Sequence, residues 1–115
     1  MAQDCLFCKI ARREIPSDFL YEDESVVAFR DINPQAPLHV LVIPRRHIEK
    51  ISQLKREDGD LVVRIITAAN RIAAEQGIAE SGYRLIFNCG ADGGQEVYHI
   101  HLHLLGGRKM NWPPG

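Results

Sequence analysis

"YRLIFNCGADGGQEVYHIHLHLL", residues 83–105, sets two alternating runs on either side of a glycine-rich segment. Residues 83–89 and 96–105 alternate side chains at the period of a half-buried strand, and "GADGGQ" between them supplies a turn. The stretch therefore predicts an antiparallel hairpin. In the second run His99, His101 and His103 share one strand face, while Ile100, Leu102 and Leu104 share the other. The apolar set calls for a helix to pack against. Residues 57–76 offer one: Leu61, Ile65, Ala68, Ala69, Ile72 and Ala73 form a single helical stripe, with Asp60, Arg64, Arg71 and Glu75 off it and Gly77 as the C-terminal stop.

The remaining segments fit the same plan. "LFCKIARREIP", 6–16, predicts a short helix stopped by Pro16. "DFLYEDESVVAFRDI", 18–32, predicts strands near 19–22 and 25–31 joined by the acidic turn Glu22-Asp23-Glu24. "LHVLVIP", 38–44, is a β-branched, apolar run closed by Pro44, and so a buried strand. After the basic loop "RRHIEK" a short helical turn is expected near 52–54. The tail "GGRKMNWPPG", bounded by glycine and proline, cannot continue the sheet. The order helix, strands, helix, strands predicts one α+β domain over residues 1–115, a long helix laid on an antiparallel sheet.

Composition narrows the function classes. With 14 basic and 15 acidic residues the formal net charge is −1, so no overall field draws the chain to nucleic acid or to an anionic membrane; a phosphate contact must be local. The N-terminal stretch mixes charges too closely with its apolar residues for a signal peptide, and no run reaches the ~20 apolar residues of a membrane span. A cytoplasmic protein is expected. The three cysteines argue against a disulfide framework, and Cys5-x-x-Cys8 reads as a metal or redox pair, although two ligands do not complete a zinc site.

Three alternate histidines admit three readings: a polar strand face, a metal site built on neutral imidazoles, or nucleophilic chemistry at phosphorus. The last needs several imidazoles converging on one small volume, one of them held in the attacking tautomer by a bond on its other nitrogen. Asn88 and the loop glycines Gly90, Gly93 and Gly94 support it, because glycine lets backbone N–H groups approach an anion.

"HIHLHLL" matches the signature of the histidine-triad family. "FRDINPQAPLHVLVIPRRHI", the 83–108 region and "MNWPPG" resemble its Hint branch, the histidine-triad nucleotide-binding proteins, from Cys5 onward. The resemblance implies a five-stranded antiparallel sheet with one long and one short N-terminal helix, continued across a homodimer. It implies hydrolysis of purine nucleoside phosphoramidates such as adenosine 5′-monophosphoramidate or adenylylated lysine, with AMP or GMP as the bound nucleotide. By resemblance His101 is the nucleophile, His103 contacts the phosphate and His99 supports them; Asp31 holds the ribose hydroxyls and Ile32 walls the base. Phe7, Ile10, Phe29 and Leu41 are candidates for the rest of the base pocket, and Asn88, Gly94, Gln95 and Glu96 for the phosphate side. Glu96 departs from the eukaryotic pattern, where a serine assists the leaving group. Some family members pair a C-x₂-C with two histidines around a structural zinc; here these are Cys5, Cys8, His47 and His99. No metal is implied at the reacting centre. Trp112-Pro113-Pro114 is expected to approach the partner subunit's active site. A nucleotide-binding scaffold and a dinucleoside polyphosphate hydrolase are the alternative readings. Cys89 and His39 are left to packing.

Overall fold

Asp23 shows why the first two strands turn where they do. In the computed structural model, which describes residues 5–115, its Oδ1 accepts the backbone N–H groups of Ser25 and Val26, each at 2.8 Å, and the Tyr21 hydroxyl donates to Oδ2 at 2.6 Å. This aspartate turn joins β1 (Phe19–Glu22) to β2 (Val26–Arg30). The chain then runs through β3 (Leu38–Pro44), β4 (Tyr83–Phe87) and β5 (Leu102–Gly106), all paired antiparallel in the order β1-β2-β3-β5-β4. Residues 1–4, the start of the stretch read against a signal peptide, lie outside the described residues.

Two helices cover opposite faces of this sheet. The face toward α2 (Gly59–Glu75) carries Val26, Ala28, Leu38, Val40, Val42, Leu102 and Leu104, packed with Ile65, Ala68, Ala69 and Ile72. The face toward α1 (Leu6–Ala11) carries Val27, Phe29, Leu41 and Ile43, packed with Phe7, Ile10 and Ala11. Period-2 alternation in β2 and β3 therefore feeds two cores, and β3 is buried along its whole length. Between β3 and α2, residues Ile51–Gln53 and Arg56–Asp58 form single 3₁₀ turns.

The long helix ends as its glycine predicts: Gly77 sits at φ 78°, and the N–H of Ile78 bonds Ala73 O at 3.0 Å. Three boundaries differ from expectation. Pro16 does not stop α1; Arg13 does, five residues after Cys8, by taking the left-handed conformation at φ 60° while Glu14 N–H bonds Lys9 O at 2.9 Å. Nothing in an arginine signals that turn. The strand expected over 96–105 begins only at Leu102, and β4 stops at Phe87 rather than at 89. The intervening residues leave the ladder because their polar groups bond elsewhere: Ile100 N–H to Ile48 O at 2.7 Å, and the buried Gln95 amide to Glu49 O and Val97 O. The tail adds no strand, as expected; Arg84 donates to Asn111 O at 2.8 Å, and Trp112 stays 82% exposed beside β4.

Candidate active site

The histidine alternation survives the loss of the strand. Ile100, Leu102 and Leu104 point to the α2 core, and the three imidazoles point to the α1 face, where Phe7 meets the edges of both His99 and His101. His101 and His103 are neighbours there, with ring centroids 5.0 Å apart. They line a cavity of about 440 Å³.

Hydrogen bonds assign the tautomers of these rings. His101 Nδ1 lies 2.8 Å from the His99 carbonyl oxygen, which can only accept, so Nδ1 carries the proton and Nε2 of the neutral ring keeps its lone pair. A second chain begins at the backbone. The Gln35 N–H donates to His39 Nδ1 at 3.0 Å, which places the His39 proton on Nε2. That Nε2–H donates to His103 Nδ1 at 2.9 Å, with Asp31 Oδ2 at 3.4 Å beside it. His103 must then carry its own proton on Nε2, and this nitrogen is buried without a partner among the described residues. The site thus sets a nitrogen lone pair on His101 beside an unused N–H on His103.

Burial keeps these rings neutral. Desolvation pushes His103 down to about 4, helped by the neighbouring His101 and His39, and it lowers His101 and His39 as well; the Asp31 carboxylate opposes it in all three. Neutral imidazoles at pH 7 are what both the lone pair and the donor chain require.

The rest of the cavity wall is largely apolar. Phe7, Ile10, Phe29 and Leu41 line the cavity as expected, Ile32 stands 98% exposed at its rim, and Asp31 lines it with Oδ1 fixed by the Asn33 N–H at 2.9 Å. Asn88, Gly94 and Glu96 are also part of the lining. Leu6, Ile15, Pro16, Ser17 and Val97 also line it and were not foreseen. Ile15-Pro16 had the look of a helix end, and only the fold brings it to this wall.

Gln95 and the glycine amides serve a different purpose from the one expected. Gln95 is buried outside the cavity lining; its Oε1 accepts the Gly90 N–H and its Nε2 donates to Glu49 O and Val97 O at 2.7 and 3.0 Å. The Gly94 N–H bonds Ala91 O and the Gln95 N–H bonds Gly90 O, each at 3.0 Å. The loop closes on itself, so the N–H groups of Gly90, Gly94 and Gln95 form no open cradle. Gly93 is there for closeness: a Cβ on it would lie 2.5 Å from Cys89 O. Cys89 itself bonds Ser52, which lowers its thiol pKa.

A second cluster lies behind the imidazole row. His99 Nδ1 is 3.3 Å from Cys5 Sγ, 3.5 Å from Cys8 Sγ and 3.2 Å from His47 Nδ1, and His47 Nδ1 is 3.4 Å from Cys8 Sγ. Its elements are tied together from outside: Arg45 donates to Ala11 O and Asp23 O, and Arg46 to the Asp58 carboxylate at 2.7 Å, which fixes the loop carrying His47. His99 Nε2–H donates to Pro44 O at 2.8 Å, leaving the Nδ1 lone pair aimed into the cluster. Tetrahedral zinc with bonds of about 2.0–2.3 Å separates its ligand atoms by about 3.3–3.8 Å, so the donor set, its spacing and the carbonyl behind His99 fit such an ion. Without a cation, burial and the neighbouring Cys5 hold the Cys8 thiol up at about 11.

His39 was missed as a functional residue. The signal available was its place in "PLHVLVIP", a polar side chain in a wholly buried strand; in antiparallel register His39 stands opposite Leu105, two residues from the Leu41–His103 pair and on the same face.

An α+β sheet that presents three alternate imidazoles on one face, two of them lining a cavity and the third buried behind, defines a histidine-triad protein. The chain belongs to the HIT domain family, whose domain matches residues 12–110. It is 56% identical over 110 residues to a protein of Escherichia coli K12 named purine nucleoside phosphoramidase, covering 96% of this chain and 92% of that one. Among solved structures, a HIT family hydrolase from Legionella pneumophila superposes with a TM-score of 0.95 at 56% identity, covering 96% of this chain and 99% of that one. A histidine triad nucleotide-binding protein from Candida albicans gives 0.81 at 32% identity, over 95% and 82%.

Proposed function

We propose that this chain hydrolyses purine nucleoside 5′-phosphoramidates through a nucleotidyl group carried on His101. The observation that carries the reading is the paired assignment of tautomers, a lone pair on His101 Nε2 next to an unpartnered N–H on His103, in the wall of a cavity otherwise lined mostly by apolar side chains. The name of the Escherichia coli relative supports the same chemistry.

The base takes the apolar wall formed by Phe7, Ile10, Phe29 and Leu41 with Ile32 at the rim, and the ribose hydroxyls bond Asp31. His101 Nε2 attacks the α-phosphorus in line with the P–N bond. That bond breaks and the amine departs with a proton taken from solvent. Nε2 now bears the nucleotidyl group, and the positive charge on the ring is shared with the His99 carbonyl through Nδ1–H. His103 Nε2–H and Asn88 bond the non-bridging oxygens as charge builds on them. Water then attacks the same phosphorus, His101 leaves as neutral imidazole, and the nucleoside monophosphate is released. Glu96, exposed at the cavity mouth, favours leaving groups that carry positive charge, such as a lysine-derived amine.

Cys5, Cys8, His47 and His99 hold a zinc ion on this reading, and its contribution is to tie the N-terminal segment to the sheet. The working unit is a homodimer joined through the outer edge of β4. Rapid quenching with adenosine 5′-phosphoramidate should trap one adenylyl group per chain. His101→Gly should abolish the adduct, lower kcat/KM by about 10³-fold or more, and retain AMP binding. Turnover by the variant, or AMP binding by the native protein without any adduct, defeats the proposal.

A further inference from the structure

His99 belongs to both clusters at once. Its ring enters the Cys5, Cys8, His47 group through Nδ1, and its carbonyl oxygen holds the His101 ring through Nδ1–H at 2.8 Å. No sheet ladder fixes that carbonyl, because β5 starts at Leu102. The local anchors are Ile100 N–H on Ile48 O and the His99 ring itself, fully buried and held at both nitrogens. One of those two nitrogens depends on what occupies the space among the two thiols and the second imidazole.

We infer that Cys5, Cys8 and His47 are positioning residues for His101: with a metal ion in their cage they fix the His99 ring and peptide, and the His99 carbonyl then holds His101 in its attacking tautomer. The geometry gives the coupling a short path. Cage ligand and nucleophile are two residues apart, and the 99–101 backbone that joins them lies outside the sheet. With the cage empty, four donors converge on no cation. His99 Nδ1 must then choose between a Cys5 or Cys8 S–H and His47 Nδ1, each within 3.5 Å. Several arrangements of the His99 ring then compete, and the carbonyl that orients His101 follows them.

This coupling rests on the role given to His101 in the proposed reaction, but it can be read without turnover. The native chain, ¹⁵N-labelled in its histidines, is compared by NMR as the zinc-loaded protein, after chelation, and after zinc is restored. The observable is the His101 Nδ1–H signal and its exchange with solvent. Chelation should speed that exchange at least 10-fold or erase the signal, and zinc should restore it. Cys8→Ser and His47→Asn should match the chelated protein in the presence of zinc. In parallel, the first-order rate of adduct formation at His101 should fall at least 10-fold on chelation while AMP affinity changes less than 2-fold.

An unchanged His101 signal in metal-free protein overturns the inference, as does failure of the native chain to take up about one zinc per chain. A chelated chain that unfolds altogether also overturns it, since the cage would then serve the whole fold and not His101. If the signal follows zinc but no adduct ever forms, the reaction assigned to His101 is wrong and the coupling stands.

Discussion

His39 is not itself part of the cavity lining, yet it decides which nitrogen of His103 carries a proton. Its Nδ1 is occupied by the Gln35 N–H, a donor with no alternative tautomer, so direction passes from backbone to His39 to His103. Replacing His39 by leucine removes the donor at His103 Nδ1 and lets that ring reverse its tautomer, which turns the N–H away from phosphate. The expected result is a fall in kcat of about 10- to 100-fold with KM changed much less. Glutamine can accept from Gln35 through Oε1 and donate to His103 through Nε2, so His39→Gln should recover a good part of the loss. Equal defects in the two variants would show that His39 acts by packing alone. The same pair of rings sets a pH dependence of stability. Their pKa values in the fold lie below the ordinary histidine value, down to about 4 for His103, so the unfolded chain binds more protons between there and about 6.5. Stability is therefore whole above about pH 6.5 and falls as pH drops toward 4. At pH 5 His103 alone accounts for on the order of 2 kcal/mol. With chelator present at every pH to remove metal release from the comparison, Tm should drop by several degrees between pH 7.5 and 5, and less in His103→Asn. A flat profile counts against buried neutral rings.

The segment from Phe87 to Leu102 shows what a repeat in side chains does and does not reveal. The alternation of His99, His101 and His103 with Ile100, Leu102 and Leu104 was legible, because it records which side of the chain must meet the α2 core. The hydrogen bonding was not, since nothing in the residue types says that Ile100 bonds Ile48 or that Gln95 reaches Glu49. The cavity was legible in the same partial way: Phe29, Leu41 and Asp31 sit in strands or next to them and Phe7 and Ile10 on the expected N-terminal helix, whereas Ile15 and Pro16 reach it only through the turn made by Arg13. Gln95 carries the clearest consequence for the loop as an element. Its side chain closes three bonds at once, to Gly90, Glu49 and Val97. Gln95→Ala leaves a buried N–H and two carbonyls to find other partners, at a cost of about 1–3 kcal/mol. Because the loop has few other long-range bonds, the loss should be local. Amide exchange at Gly90 should accelerate strongly while residues of α2 keep their protection. Uniform loss of protection across the chain would mean that the loop is part of the global folding unit.

At the scale of the molecule the sheet has two ends, and they are unequal. β1 is short and distorted, with its register shifting between Phe19 and Tyr21, and Arg13 stacks over Phe19 beside it. β4 is regular through all five residues and half-exposed at each, and among the described residues no strand pairs with its outward edge, near which the tail lies. An unblocked regular edge is the place where a second copy can add strands, and irregular short edges are the places where it cannot. Tyr83 through Phe87 also lead straight into Asn88 and the cavity, so a partner joined there would stand next to the site and could bring its own Trp112 segment to it. That arrangement gives an exposed tryptophan a purpose in the assembly that it lacks in a single chain. Sedimentation equilibrium should return twice the 13.0 kDa chain mass at micromolar concentration. Hydrogen exchange along β4 should be slow and become faster on dilution, because only edge pairing protects its outward N–H groups. A species of single-chain mass with fast exchange along β4 would place the edge in solvent and leave Trp112 without the assembly role argued for it.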